Sequence, residues 1–140
     1  LIIIASALRL AKFNIDTHQS ENFIGMPTPT NAIIICMLMH FSLNNQFLES
    51  ITGSIWFIPV FSIVMSALLI SKIPMFSLKF KSLKWEGNEK RISIIIVAMI
   101  LLVISIFSGI TWSASLLATF VIYLLINVIE FSIKFFALKQ

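Results

Sequence analysis

Residues 7–16 read ALRLAKFNID, and the first side chains that could do chemistry are Arg9 and Lys12. Three positions apart, they share one face of a helix near its C-terminal end. The planar guanidinium of Arg9 could hold two oxygens of a phosphate or carboxylate at once, with Lys12 adding positive field. The same pair also suits simple anchoring. Cations in a last turn complement the helix dipole, and their long stems reach the headgroup layer of a membrane. Spacing alone leaves both readings open.

The next notable stretch is FIGMPTPTNA, residues 23–32. Proline fixes φ and drives the preceding residue towards extended backbone, so Gly25, Pro27 and Pro29 define a stiff loop. Thr30 or Asn31 would then cap the helix that follows. One reading is a rigid return into the membrane. The other is a loop that holds the Arg9 turn against an anionic headgroup.

Other polar side chains carry weaker signals. Asn127 and Glu130 are three apart near the end of the last apolar run; intramembrane polar groups face a bundle interior, and Glu130 is close enough to the interface to act as an anchor. His40 has no second His or carboxylate at metal-ligand spacing, which favours a hydrogen-bonded structural histidine. Cys36 is the single cysteine. It excludes an internal disulfide and reads as a small buried hydrophobe.

The elements that position these residues follow from composition. Of 140 residues, 59% are hydrophobic and 11% charged, and the mean hydropathy is +1.01. Soluble domains hold about 25% charged residues, so this chain has too little polar surface to cover a water-soluble fold. Four apolar runs follow the N-terminal piece, at about 31–47, 55–71, 92–109 and 113–132. Runs of about 17–25 residues span a bilayer as helices, because every backbone amide must be paired in hydrocarbon. The runs do not alternate apolar and polar residues as barrel strands do. The expectation is an all-α polytopic transmembrane bundle, with about four complete spans plus the end of an N-terminal helix, forming a single membrane domain over 1–140.

If each run crosses once, every Lys and Arg falls on one face: Arg9 and Lys12; Lys72, Lys79, Lys81, Lys84, Lys90 and Arg91; Lys134 and Lys139. The two opposite connections hold Glu49 as their one charge. The positive-inside rule places the basic face in the cytoplasm and suggests a bacterial inner membrane protein, with Trp56 and Trp112 at the far interface and Trp85 in the cytoplasmic loop. A basic loop between two spans attracts anionic lipid rather than nucleic acid.

Three segments in order, ALRLAKFN, FIGMPTPTNA and LLISKIPMFSLK (residues 68–79), resemble the second half of bacterial CDP-diacylglycerol–serine O-phosphatidyltransferases, within the CDP-alcohol phosphatidyltransferase superfamily. The likeness covers residues 1 to about 80; beyond that it rests on hydropathy. It implies a membrane enzyme that transfers a phosphatidyl group from CDP-diacylglycerol to L-serine and releases CMP. It implies Mg²⁺ or Mn²⁺ held by aspartates of a D-G-x2-A-R-x8-G-x3-D-x3-D signature, where hard cations neutralise the pyrophosphate. It also strengthens the anion-pocket reading of Arg9 and Lys12, and relatives in the superfamily are often homodimers.

This sequence departs from that pattern. Asp16 is its one aspartate, and no Asp-Gly pair occurs. No catalytic or metal residue is therefore assigned within this chain, which is expected to be a C-terminal fragment, inactive alone. Two alternatives stand beside this reading: a small transporter or channel-like protein without chemistry, and a bundle piece that assembles with a separate chain carrying the signature. Topology is directly testable. In a Cys36→Ala background, single cysteines at Ser82 and Ser50 should react with an impermeant thiol reagent from opposite membrane faces; labelling from one face would overturn the span count.

Overall fold

The computed structural model describes residues 1–15, 22–77, 85 and 87–137. Asp16, Lys79, Lys81, Ser82, Lys84, Glu86 and Lys139, which entered the charge and topology reading, lie outside the described residues. The elements in chain order are α1 (Ile2–Ile15), β1 (Asn22–Ile24), α2 (Thr28–Ser42), α3 (Gln46–Thr52), α4 (Phe57–Ile70), β2 (Pro74–Phe76), α5 (Glu89–Ser108) and α6 (Trp112–Ala137). Helix α6 is the axis of the bundle: α5 and α2 pack on it, α1 packs on α4, and α2 touches α4.

Packing is inverted relative to a soluble protein. Ser113, Ser115, Thr119, Tyr123 and Asn127 of α6 are buried, whereas Ile3, Ile55 and Phe107 are more than 80% exposed. An apolar exterior around a partly polar seam is what a bilayer solvent selects, because polar groups between helices find partners that lipid cannot offer.

Helices α5 and α6, of 20 and 26 residues, are long and apolar enough to cross a membrane. At 1.5 Å per residue they extend about 30 and 39 Å. The expected four complete spans need correction. Helix α2 has 15 residues and α4 has 14, about 21–23 Å each. A third helix of spanning length arises only if α3 and α4, bent by 81°, are taken together.

The asparagines in the first run explain why α2 ends at Ser42 and α3 starts at Gln46. Asn44 Nδ2 donates to His40 O at 2.8 Å, and the Asn45 side chain accepts from Leu48 N at 3.1 Å. Side chains that satisfy backbone groups locally end one helix and start another. Ile55 and Trp56, counted within the second run, form a turn before α4.

Three further expectations change. Helix α2 begins at Thr28 with Pro27 as its N-cap residue and Pro29 in the first turn, so Thr30 and Asn31 are buried helix residues rather than caps. First-turn prolines lose nothing, since those N–H groups have no intrahelical partner. Cys36 is exposed on α2, not buried. And two connecting segments, read as loops, pair as an antiparallel ribbon with register Asn22↔Phe76, Phe23↔Met75 and Ile24↔Pro74.

The ribbon runs directly into the end of α4. Gly25 N donates to Ile73 O at 2.9 Å, and Met26 N donates to Leu68 O at 3.0 Å. Leu68 O also accepts from Ser71 Oγ at 2.8 Å. The bonds to Leu68 O satisfy a carbonyl that the C-terminus of α4 leaves without an intrahelical partner. Gly25 permits this approach: its φ is +77°, and a Cβ would lie 2.5 Å from Leu69 O and 2.9 Å from Ser71 O. Gly25→Ala should therefore lower stability by about 2 kcal/mol or more, combining left-handed backbone strain with a clash against immovable backbone. Gly87→Ala, at φ +82° but with nothing within 4 Å of the added Cβ, should cost clearly less. Thermal unfolding of both variants in detergent checks the difference.

Candidate functional site

Polar contacts join the basic residues at one end of the bundle. Lys90 Nζ lies 2.5 Å from Glu130 Oε1, bringing the start of α5 to the last third of α6. Arg91 Nε donates to Ser77 O at 2.7 Å and its Nη1 to Asn88 Oδ1 at 2.7 Å. Arg9, Lys12 and Lys72 line one cavity. At the other end His40 Nδ1 and Ser113 Oγ are 2.9 Å apart, and the His40 ring packs on Trp112 with centroids 5.0 Å apart. His40 is thus the hydrogen-bonded structural residue that its isolation in the sequence indicated. Glu130 pairs with a cation across helices, and Asn127 is buried, 2% exposed.

The cavity at the basic end has a volume of about 450 Å³. Arg9 and Lys12 face it from the second half of α1, and Lys72 and Ser71 from the segment that leaves α4. Among the described residues no carboxylate lines it; the remaining described wall is apolar, from Phe13, Ile15, Ile24, Leu69 and Ile70. Three cations beside hydrocarbon fit an amphiphile with an anionic head better than a free, strongly hydrated ion. The head gains Coulomb energy in a medium that screens less than water, and the apolar part is removed from solvent.

Arg9 is the half-buried member. Its guanidinium carbon lies 5.9 Å from the centroid of the Phe23 ring, within cation–π range. Its Nε is buried and makes no hydrogen bond among the described residues. Phe23 in turn meets Phe13, centroids 6.4 Å apart. The strand β1 therefore holds Arg9 through Phe23 and lines the cavity through Ile24. Lys12 and Lys72 are exposed and reach the cavity on flexible stems.

The loop residues singled out in the sequence divide. Gly25 abuts Leu69 and Ser71, both cavity residues. Pro27 and Pro29 start α2 and do not line the cavity. Sequence reasoning missed Lys72 as a site residue: it sits at the end of an apolar run, where it reads as one of several topogenic cations. It also missed what fixes the ribbon. Asn127 Oδ1 accepts from Phe76 N at 3.0 Å while Asn127 Nδ2 donates to Tyr123 O at 2.7 Å. Tyr123 Oη donates to Phe76 O at 2.9 Å, with the two rings edge to face.

Among the described residues, no three His, Cys, Asp or Glu side chains gather to hold a metal ion. The Mg²⁺ or Mn²⁺ that the resemblance implies does not fit the described residues, whose cavity is lined by cations. A second groove, of about 560 Å³, lies where α3 meets α4 and is lined by Trp56, Phe57, Phe61 and other uncharged residues.

The structure thus defines a helical bundle suited to a membrane, with a cationic, half-apolar cavity at one end. Over 88 residues the chain is 33% identical to the CDP-diacylglycerol–serine O-phosphatidyltransferases of two strains of Helicobacter pylori. The match covers 61% of this chain and 35% of each relative, so the chain spans about a third of the length of those curated relatives. No family model matches the sequence. No solved structure matches it.

Lys72 supplies a test of the cavity independent of any reaction. Phosphatidic acid in mixed micelles should raise the melting temperature of the protein, and Lys72→Gln should reduce that stabilisation at about 0.05 M salt. The deficit should shrink at about 0.5 M salt, where the Debye length falls to a few ångströms. Equal stabilisation of variant and parent at low salt would remove Lys72 from the site.

Proposed function

We propose that this chain forms the lipid-headgroup site of a CDP-diacylglycerol–serine O-phosphatidyltransferase, acting in phospholipid synthesis at a bacterial inner membrane with its basic end in the cytoplasm. The observation that carries the reading is the cavity itself. It is built from the same three segments that resemble the family, and it joins Arg9, Lys12 and Lys72 to an apolar wall. The similarity to the Helicobacter pylori enzymes supports it.

In this reading Arg9 grips an anionic group of the substrate, a phosphate of CDP-diacylglycerol or the carboxylate of serine. The Phe23 ring beneath it limits the positions that the guanidinium can take, which suits two-oxygen recognition. Lys12 and Lys72 add field and draw negative charge to the cavity mouth. Ile24, Leu69 and Ile70 face the glycerol end of the lipid. Cations placed where charge accumulates during phosphoryl transfer stabilise the transition state. A divalent cation, when bound, would neutralise the pyrophosphate. The aspartates for it would come from protein outside these 140 residues, in the same polypeptide or in another.

The transporter reading finds less support. His40 and Tyr123, two polar groups in the apolar runs, are committed to Ser113 and to Phe76.

The experiment is Arg9→Lys, introduced at the chromosomal locus so that all native sequence and partners are present. Lysine keeps the charge and the reach but loses the fork. Serine-dependent release of CMP from CDP-diacylglycerol in membranes should fall tenfold or more, about 1.4 kcal/mol. The protein level should hold. Near-normal kinetics, with serine and CDP-diacylglycerol each varied, would leave Arg9 as an anchor and remove the pocket from the mechanism.

A further inference from the structure

We infer that Tyr123 and Asn127 of α6 are positioning residues for the cationic cavity, although neither lines it. The path is continuous. The two side chains hold the backbone of Phe76 from both sides of the residue: Asn127 Oδ1 accepts a hydrogen bond from its N–H and Tyr123 Oη donates one to its carbonyl. Phe76 ends β2, and β2 pairs with β1 through Phe23 and Ile24. Phe23 lies under the Arg9 guanidinium, and Ile24 is part of the cavity wall. The same ribbon continues through Gly25 and Met26 onto the carbonyls of Ile73 and Leu68, beside Leu69 and Ser71 of that wall.

A ribbon of two three-residue strands is not stable by itself. Its position is therefore set by what its backbone is tied to, and the ties run to α4 and to α6. The tie to α6 is made by two buried side chains. Tyr123 and Asn127 are each 2% exposed, and the Asn127 amide is itself fixed by its bond to Tyr123 O. Loosening this clamp should let β1 drift relative to α1, so that Phe23 no longer holds the guanidinium in one orientation. The consequence is a loss of ligand affinity and not of the helical bundle.

This inference rests on the proposed headgroup site, and the test separates the two. Tyr123→Phe removes one hydroxyl and keeps the ring against Phe76; Asn127→Leu removes both amide bonds and is the harsher change. Hydrogen exchange of the purified protein should show faster exchange at Gly25 and Met26 in Tyr123→Phe, with the α6 amides unchanged. In membranes of the chromosomal Tyr123→Phe strain, KM for CDP-diacylglycerol should rise about fivefold while kcat stays within about twofold. A merely structural role would lower the amount of active protein and leave KM alone. Unchanged exchange at Gly25 and Met26 would overturn the clamp, and so would faster exchange with an unchanged KM. Arg9→Lys in the same assay assigns the failure. If Arg9→Lys alone impairs kcat or KM, the cavity stands and the clamp falls; if neither variant changes the kinetics, both readings fall.

Discussion

The peptide backbone around Phe76 is the point on which the arrangement depends. A short non-helical segment at the edge of a membrane bundle exposes N–H and C=O groups that hydrocarbon cannot satisfy. Here α6 satisfies them with an amide and a phenol, and β1 pairs along the rest of β2. Without those partners the segment after α4 would have to stay in water, and the wall of the cavity would have no fixed edge. The buried Tyr123 and Asn127, unusual in so apolar a helix, are explained by this one requirement.

The same reasoning accounts for the division of the bundle into a basic end and a far end. At the far end, hydroxyls close turns: Ser105 Oγ donates to Ile110 O at 2.7 Å, and Ser42 and Thr52 bond across α2 and α3. These groups are consumed locally. At the basic end the pattern is different. Lys90 and Arg91 are engaged by Glu130, Ser77 and Asn88, whereas Arg9, Lys12 and Lys72 converge on open space. A cavity with charge on one side and hydrocarbon on the other matches the chemistry of a lipid headgroup joined to its chains.

Much of this was legible in the residues. Membrane class follows from composition, since 11% charged residues cannot clothe a soluble fold. The helix face shared by Arg9 and Lys12 follows from a spacing of three, and the described cations lie, as their places in the sequence indicate, at the ends of the apolar runs. The isolation of His40 pointed to a structural hydrogen bond, and Ser113 provides it. Less legible were helix lengths. Asn44 and Asn45 look like tolerated polar residues in an apolar run until their side chains are seen bonding the backbone and ending the helix. The exposure of Cys36 was likewise hidden, because lipid and a protein core are equally apolar surroundings for a small thiol.

By itself, then, the sequence determined the solvent, the helical class and which end carries positive charge, because hydropathy, periodicity and charge placement act over neighbouring residues. Only the tertiary structure decided that Lys72 joins Arg9 and Lys12, that two loop segments pair as a ribbon, and that Asn127 holds a backbone amide 51 residues away. The physical reason is the reach of the interactions. A helix satisfies its own backbone from within, so its existence is written locally. A non-helical segment must borrow its partners from elsewhere in the chain, and which residue lends them is settled only when the helices pack.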